Sequence, residues 1–215
     1  KVPAITPKLR LANLDSVVVS DELPFLNIGE RANVAGSRKF LNLMKEENYA
    51  EGLRICRSQI ENGAQVLDIN MDDALLDSEK VMNTFLLNLA SDPDIARAPL
   101  MIDSSRWEVL RGGLARAQGK CIVNSLSLKE GEAVFLEKAK EARKFGAAIL
   151  AMAFDENGIL DKTLWKSNKR WIDLTQGSWE YYEDGYLVHV DTYTCDDCGL
   201  RYTNSYYTVK DRENC

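Results

Sequence analysis

Residues 65–70 read QVLDIN, and this apolar stretch, which closes on a carboxylate and an amide, decides the fold that we expect. A short apolar run of this length is typical of a strand that is buried on both faces. Similar stretches stand at 100–103 (LMID) and 121–124 (CIVN). Amphipathic segments lie between them, so the sequence predicts βα units in a parallel sheet.

Five strands and four helices are predicted between Phe25 and Phe154. The strands are expected at 25–28, 65–69, 100–103, 121–124 and 148–153. The helices are expected at 49–61, 78–89, 107–117 and 131–145, where apolar residues recur at helical spacing. The doubly wound sheet and the (βα)8 barrel both have this order of elements, and both bind ligands at the carboxyl ends of their strands.

Polar side chains close four of these strands in succession. Single residues of this type also cap helices and fill turns, and that interpretation stays open for each of them. Their repetition at one edge of a parallel sheet favours a binding site. The candidates are Asp68, Asn70, Asp103, Ser104, Asn124, Ser125 and Asp155.

The composition limits the partners and the location of the protein. The chain has 215 residues, of which 45% are hydrophobic and 28% charged, with a formal net charge of −6. A nucleic-acid partner is not expected, because phosphate binding needs clustered Lys and Arg. No apolar run reaches the ~18 residues of a membrane span, so we expect a cytoplasmic protein without a membrane partner. The sequence begins Lys1-Val2-Pro3 without a Met, which suggests a piece of a longer chain.

The last part of the chain has a different texture. Residues 165–215 contain three of the four Trp, seven of the eight Tyr and no Ala, in short alternating stretches typical of β-hairpins. An Asp-Gly step at 184–185 predicts one hairpin turn. The spacing of Cys195, Cys198 and Cys215 allows a zinc ribbon fragment. His189 is a further candidate ligand, although a lone His in an alternating strand is more often a surface residue.

Five stretches together carry a family resemblance, and they occur in order along the chain. They are NIGERANVAGSRKF (27–40), ENGAQVLDINMDDALLD (61–77), DPDIARAPLMIDSSRWEVL (92–110), QGKCIVNSLSLKEGE (118–132) and FGAAILAMAFDENG (145–158). Residues 1 to about 160 resemble the pterin-binding (methyltetrahydrofolate-binding) domain of cobalamin-dependent methionine synthase. The tail resembles no family that we recognise.

The resemblance implies a barrel that binds 5-methyltetrahydrofolate as its substrate at the strand ends. The methyl group would pass to cobalamin on a separate domain and then to homocysteine on another module. Asp103 and Asn124 would bind the pterin edge, and Asn124 would also assist catalysis, because the N5 amine leaves only with proton or hydrogen-bond donation. Asn27 matches a strand-one position that faces the pterin in related barrels. Asp68 and Asn70 are expected in the same layer.

The family's barrel continues after residue 158 with three further strands, whose motifs we do not find. We therefore expect an α/β fold with a partial (βα)8 TIM-type barrel of about five βα units, followed by a small β-hairpin-rich tail. The predicted domains are a linker (1–23), the truncated barrel (24–160) and the tail (165–215). Truncation is expected to impair activity, and two partial barrels could pair as a dimer.

Two alternative functions remain open at this stage. The first is another pterin-binding barrel, of the dihydropteroate synthase or corrinoid methyltransferase type. The second is a non-catalytic interaction protein that uses the aromatic-rich tail for its contacts.

Overall fold

The computed structural model describes residues 8–20, 23, 25–155 and 158–159, and three further strands at 179–183, 186–194 and 201–209. The chain forms two compact units. The first comprises Lys1–Ser125 and Lys138–Ala148, and the second comprises Leu126–Glu137 and Ile149–Cys215.

Strands and helices alternate along the first 155 residues. The strands are β1 (Arg10–Ala12), β2 (Ser16–Val18), β3 (Ile28–Asn33), β4 (Val66–Asn70), β5 (Leu100–Asp103), β6 (Ile122–Leu128) and β7 (Ala148–Asp155). The helices are α1 (Arg38–Lys45), α2 (Tyr49–Glu61), α3 (Ser78–Ala90), α4 (Pro93–Ala96), α5 (Trp107–Leu114) and α6 (Glu132–Lys144). The four predicted helices are confirmed to within three residues at each end, and so are the strands predicted at 65–69, 100–103 and 148–153. The strand predicted at 121–124 begins one residue later and continues to Leu128.

Five parallel strands alternate with the helices, which confirms the predicted α/β class and is consistent with a partial TIM-type barrel. The strand order is β3-β4-β5-β6-β7, followed by the short strand β8 (Gly158–Ile159), which is antiparallel to β7. β4 is parallel to both β3 and β5, and β5 is parallel to β6. At the start of β7, the Ala148 amide donates to the Cys121 carbonyl at 2.9 Å.

The first barrel strand differs from the prediction. We expected it at 25–28, but β3 begins at Ile28 and continues through the polar residues of GERAN to Asn33. These residues have little intrinsic strand preference, and the pairing of β3 with β4 shifts register between Gly29 and Ala32. The tertiary pairing therefore sets this strand, and the local pattern did not reveal where it ends.

Two short helices were not predicted. α1 has only two buried residues, Phe40 and Met44, four positions apart on one face, and Ser37 caps its first turn by accepting from the Phe40 amide. α4 is a single turn that begins at Pro93 behind the cap residue Asp92. Both are too short to show a clear helical period in the sequence.

An apolar layer fills the interior at the amino ends of the strands. Leu11, Val66, Met101 and Ile122 form one buried cluster, and Ile28 is among the partly buried residues that pack against it. We call these four buried residues the floor. Three of them come from β4, β5 and β6, whereas Leu11 comes from β1.

The segment that supplies Leu11 was predicted as a linker, and in the structure it contains a hairpin of β1 and β2. The Ala12 amide donates to the Lys120 carbonyl at 3.0 Å, and the Lys120 amide donates back to Ala12 at 2.8 Å. Leu11 is only 1% exposed. Residues 10–18 therefore contribute to the packing of the first unit.

The opposite faces of the strands pack against the helices. The rings of Phe40 and Phe85 meet edge to face with their centroids 5.4 Å apart. Gly113 allows α5 to pack closely on β5, because an added Cβ at this position would come within 2.7 Å of Ile102. This outer layer and the floor hold β4 to β6 in place on both faces, which fixes the positions of their carboxyl ends.

Part of the aromatic-rich tail forms an antiparallel sheet in the order β11-β10-β9. Its strands are β9 (Trp179–Glu183), β10 (Tyr186–Thr194) and β11 (Arg201–Val209). Glu183 pairs with Tyr186, so the predicted hairpin is confirmed. None of the helices in the described part of the chain is both long and apolar enough to span a bilayer.

Candidate functional site at the strand ends

Four polar residues stand at one level on four neighbouring strands, at the last residues of β3, β4 and β5 and at the third residue of β6. Asn33 of β3 pairs with Asn70 of β4, Asn70 pairs with Asp103 of β5, and Asp103 pairs with Asn124 of β6. We call these four residues the strand-end row. Because partners in a parallel ladder lie at the same height in a sheet, the row places one carboxylate among three amides at a single level.

The alternation of side chains along each strand explains this layering. On β4, Val66 belongs to the floor, and Asp68 and Asn70 follow at intervals of two residues on the same face. On β5, Met101 belongs to the floor and Asp103 follows two residues later. The interior is therefore apolar at the amino ends of the strands and polar at the carboxyl ends.

Asn33 connects two carboxyl groups, the buried one of Asp68 and the half-buried one of Asp103. Its Nδ2 donates to Asp68 Oδ2 at 2.9 Å and to Asp103 Oδ2 at 3.2 Å. Its Oδ1 accepts from the backbone amides of Ala35 at 2.9 Å and Gly36 at 3.1 Å, in the turn that leads to α1. Both ends of the amide are therefore occupied, which fixes the side chain in one orientation.

Asp68 lies one layer below the row and is only 2% exposed. Burial raises the pKa of its carboxyl to about 6, the hydrogen bond from Asn33 opposes this rise, and the charge of Asp103 adds to it. Asn124 also lowers this pKa, but the Oδ1 atom of Asp68 has no hydrogen-bond partner among the described residues. A buried carboxyl with one unpaired oxygen favours its neutral form.

Asp103 is half-buried and is open to a ligand from the strand-end side. Burial also raises the pKa of its carboxyl, hydrogen bonding from Asn70 lowers it, and the neighbouring charge of Asp72 raises it. A pterin that donates N–H groups to this carboxyl would favour its ionised form and reverse part of the rise. Asn33 and Asn124 are half-buried as well, so three members of the row are accessible.

A third carboxylate, that of Asp72, accepts hydrogen bonds from the loop after β5. Its Oδ1 accepts from Ser104 Oγ at 2.7 Å, and its Oδ2 accepts from the Ser105 amide at 2.7 Å and from Ser105 Oγ at 2.8 Å. Ser104 Oγ in turn accepts from the Arg106 amide at 3.0 Å, just before α5. The predicted site residue Ser104 is thus occupied in this loop and is 2% exposed.

The structure brings Asp68, Asn70, Asp103 and Asn124 together, as the sequence suggested, but it separates Asn27 from them. Asn27 is exposed and precedes β3, and its Nδ2 donates to the Gly63 carbonyl at 3.0 Å. It therefore lies at the amino end of the strand, away from the strand-end row. The physical reason is the later start and end of β3, which gives the strand-end position to Asn33 instead.

The remaining predicted residues fall at the edges of this group or outside it. Ser125 follows Asn124 on β6 and is half-buried. Asp155 ends β7 in the second unit, and its side chain lies outside the described part of the structure. Cys195, Cys198 and Cys215 also lie outside the described residues, so the predicted zinc site stays a prediction. No cluster of potential metal ligands occurs among the residues that the structure describes.

Sequence reasoning missed Asn33 and Asp72 as members of the polar group. Asn33 closes the NIGERAN stretch in the same way that Asn70 closes QVLDIN, which is a signal once β3 is extended to its observed end. Asp72 stands two residues after the end of β4. Its role depends on contacts with a loop more than thirty residues later, and local patterns do not report such contacts.

We expect the stability of the fold to fall as pH rises from about 4 to 6. Asp68 has a pKa of about 6 in the folded protein, against about 3.9 in an unfolded chain, so the folded state holds more protons in this window. The unfolding free energy should drop by about 2 to 3 kcal/mol across it. Asp68→Asn should remove most of this slope in urea unfolding followed at several pH values. The exposed Asp15→Asn should retain it, and an unchanged slope in Asp68→Asn would contradict the prediction.

Comparison with known protein families agrees with the geometry of the strand ends. The family model described as "Pterin binding enzyme" matches residues 29–174, which is more than half of the chain. The matched range begins at the second residue of β3, continues through β7 and includes every member of the strand-end row. The chain therefore belongs to the pterin-binding enzyme family.

Proposed function

We propose that the chain is the 5-methyltetrahydrofolate-binding module of a cobalamin-dependent methionine synthase, an enzyme of the methyltransferase class. The observation that carries this proposal is the strand-end row, which offers an accessible carboxylate and two accessible amides above an apolar floor. A pterin is a flat ring with donors and acceptors along one edge. Such a ligand needs a few fixed polar groups in a largely apolar cavity.

Asp103 is the group best suited to the aminopyrimidine edge of the pterin. A carboxylate is a pure acceptor with two oxygens, and it can pair with two neighbouring N–H donors at once. Asp103 Oδ2 already accepts from Asn33, which directs the carboxylate but leaves further lone pairs for a ligand. Asn70 and Asn33 thus supply the supporting contacts, and Asp103 supplies the contact with the ring.

Asn124 is the proposed catalytic residue. Breaking the bond between the methyl carbon and N5 leaves an amine that must gain a proton or a hydrogen bond as it departs. A side-chain amide can donate and accept at the same time, so Asn124 can hold a water or the N5 atom in place without itself changing protonation state. Asn124 pairs with Asp103 on the neighbouring strand, so one pterin ring can contact both residues.

The partners follow from this proposal. The methyl group would pass to cobalamin on a separate module, and homocysteine would be bound by another module of the same enzyme. The wording of the SLSLKEGE and MAFDENG stretches supports this member of the family over dihydropteroate synthase and the corrinoid methyltransferases. A cytoplasmic location fits folate chemistry of this kind and is part of the proposal.

Isothermal titration with 5-methyltetrahydrofolate tests the proposal, with circular dichroism as the check that the protein is folded. The matched ligand is a reduced pterin without the p-aminobenzoylglutamate portion. Preference for the whole methylfolate supports the proposed module. Preference for the bare pterin supports a dihydropteroate synthase type of site. A folded protein that binds neither would leave the tail as the part that carries the function.

Asn124→Ala is expected to weaken 5-methyltetrahydrofolate binding by about 1 to 3 kcal/mol, because a buried hydrogen-bond partner of the ring is lost. Asn88→Ala, which makes the same change at an exposed position of α3, is the matched control and should change the affinity little. Calorimetric titration of both variants makes the comparison. Equal affinities for Asn124→Ala and the unchanged protein would remove Asn124 from the site.

A further inference from the structure

Asn33 joins three features of the first unit: the buried Asp68, the accessible Asp103 and the turn before α1. The two carboxyl groups come from different strands and both have a pKa above the ordinary range because of burial. Two such groups placed near each other repel when both are ionised. A shared amide donor between them reduces that repulsion and fixes their relative orientation.

Asp68 is placed to hold Asn33 and is poorly placed to touch a ligand itself. It lies one layer below the strand-end row, is 2% exposed, and uses Oδ2 to accept from Asn33. Its other oxygen has no partner among the described residues. Of the two side-chain hydrogen bonds that act on Asp68 among the described residues, the one from Asn33 has the larger effect and the one from Asn124 the smaller. Asn33 is in turn the link to the accessible carboxylate.

We propose that Asp68 and Asn33 are positioning residues of the pterin site: Asp68 anchors the Asn33 amide, and Asn33 holds the Asp103 carboxylate and the turn before α1 in the arrangement that binds the ring. The identity of the ligand in this statement rests on the proposed function. The positioning of Asp103 by Asn33 does not, because it is a property of the unliganded protein.

The physical reason is the freedom that Asp103 would otherwise have. Without Asn33, Asp103 would keep only its hydrogen bond from Asn70, and a half-buried carboxylate with fewer fixed donors populates more orientations about its terminal bond, since that torsion has broad minima. A ligand then has to order the group when it binds, and this costs affinity. Asn33 is itself ordered by the amides of Ala35 and Gly36, so it can transmit a fixed geometry from the backbone to Asp103.

The first experiment measures the pKa of Asp103 in the unliganded protein by carbon-13 NMR of its carboxyl group. Asn33→Ala should raise this pKa, because the variant removes a donor to the ionised form. The other charged groups that act on the two carboxyls are Glu30 and Asp72, and both stay unchanged in the variant. Asn27→Ala is the matched control, since this amide precedes the same strand and donates to Gly63 at its other end.

The second experiment measures the affinity for 5-methyltetrahydrofolate by calorimetry. Asn33→Ala and Asp68→Ala should each bind about tenfold more weakly, as expected for loss of one buried hydrogen bond in the supporting contacts. Asp68→Asn should bind within about threefold of the unchanged protein, because its amide oxygen can still accept from Asn33. This conservative variant separates an anchoring role from a role of the negative charge.

Different results would overturn the two proposals. An Asp103 pKa in Asn33→Ala equal to that in Asn27→Ala would overturn the positioning role, whatever the ligand is. Affinities of Asn33→Ala and Asp68→Ala equal to that of the unchanged protein would do the same. An unchanged protein that binds no 5-methyltetrahydrofolate while the Asp103 pKa shifts as expected would instead overturn the proposed function and support the positioning of Asp103.

Discussion

Asp103→Asn is expected to weaken 5-methyltetrahydrofolate binding by about 100-fold, or about 3 kcal/mol. The variant has nearly the same shape but no charge, so the ring's N–H donors lose a charge-assisted acceptor. It also places an amide where Asn33 and Asn70 direct their donors, and one polar group in the cluster must then stay unpaired. Both effects act in the same direction. Isothermal titration near neutral pH makes the measurement.

The control for this variant is Asp15→Asn, which makes the same change in net charge at the hairpin of β1 and β2. Asp15 is exposed and forms an ion pair with Arg97, and such a pair contributes little to stability. The affinity of Asp15→Asn for 5-methyltetrahydrofolate should equal that of the unchanged protein. Circular dichroism should show the same fold for both variants. If Asp103→Asn binds as tightly as Asp15→Asn, Asp103 does not contact the ligand.

Leu11→Ala is expected to lower the free energy of unfolding by about 2 to 5 kcal/mol. Leu11 is 1% exposed in the floor, where it packs in one cluster with Val66, Met101 and Ile122. Truncation removes apolar contacts and leaves a cavity that the strands cannot close easily, because they are also held by the helices on their other face. Urea unfolding followed by circular dichroism measures the change.

Leu14→Ala tests whether this loss comes from burial. Leu14 lies three residues further along the same hairpin but is 67% exposed, so its truncation should change stability by less than about 0.5 kcal/mol. Equal effects of the two variants would show that residues 10–18 behave as a linker, as the sequence alone suggested. A large effect of Leu11→Ala alone would show that the hairpin is part of the folded unit.

The sequence was sufficient to predict the fold class and to name three of the four residues of the strand-end row. Stretches such as LMID at 100–103 carry both the buried strand and the polar group at its end, so strand and site residue are predicted together. The register of two strand pairs then places Asn70, Asp103 and Asn124 at one level. That step needs only the general rule that parallel strands end at the same edge of a sheet.

The sequence was not sufficient where long-range contacts override local preference. β3 is a strand because it pairs with β4, and its polar residues gave no sign of this, so Asn27 was chosen in place of Asn33. The hairpin at 10–18 has two strands of three residues each, too short to show alternation. Its place in the fold depends on Lys120 and on the floor, far along the chain.

The hairpin also constrains the order in which the protein can fold during its synthesis. Lys120, which exchanges two backbone hydrogen bonds with Ala12, is made about a hundred residues after this hairpin. At about 5 to 20 residues per second, this interval lasts roughly 5 to 20 seconds. During that time Leu11 has none of its partners from β5 and β6. Leu11 can therefore be buried in the floor only after these later strands have been made.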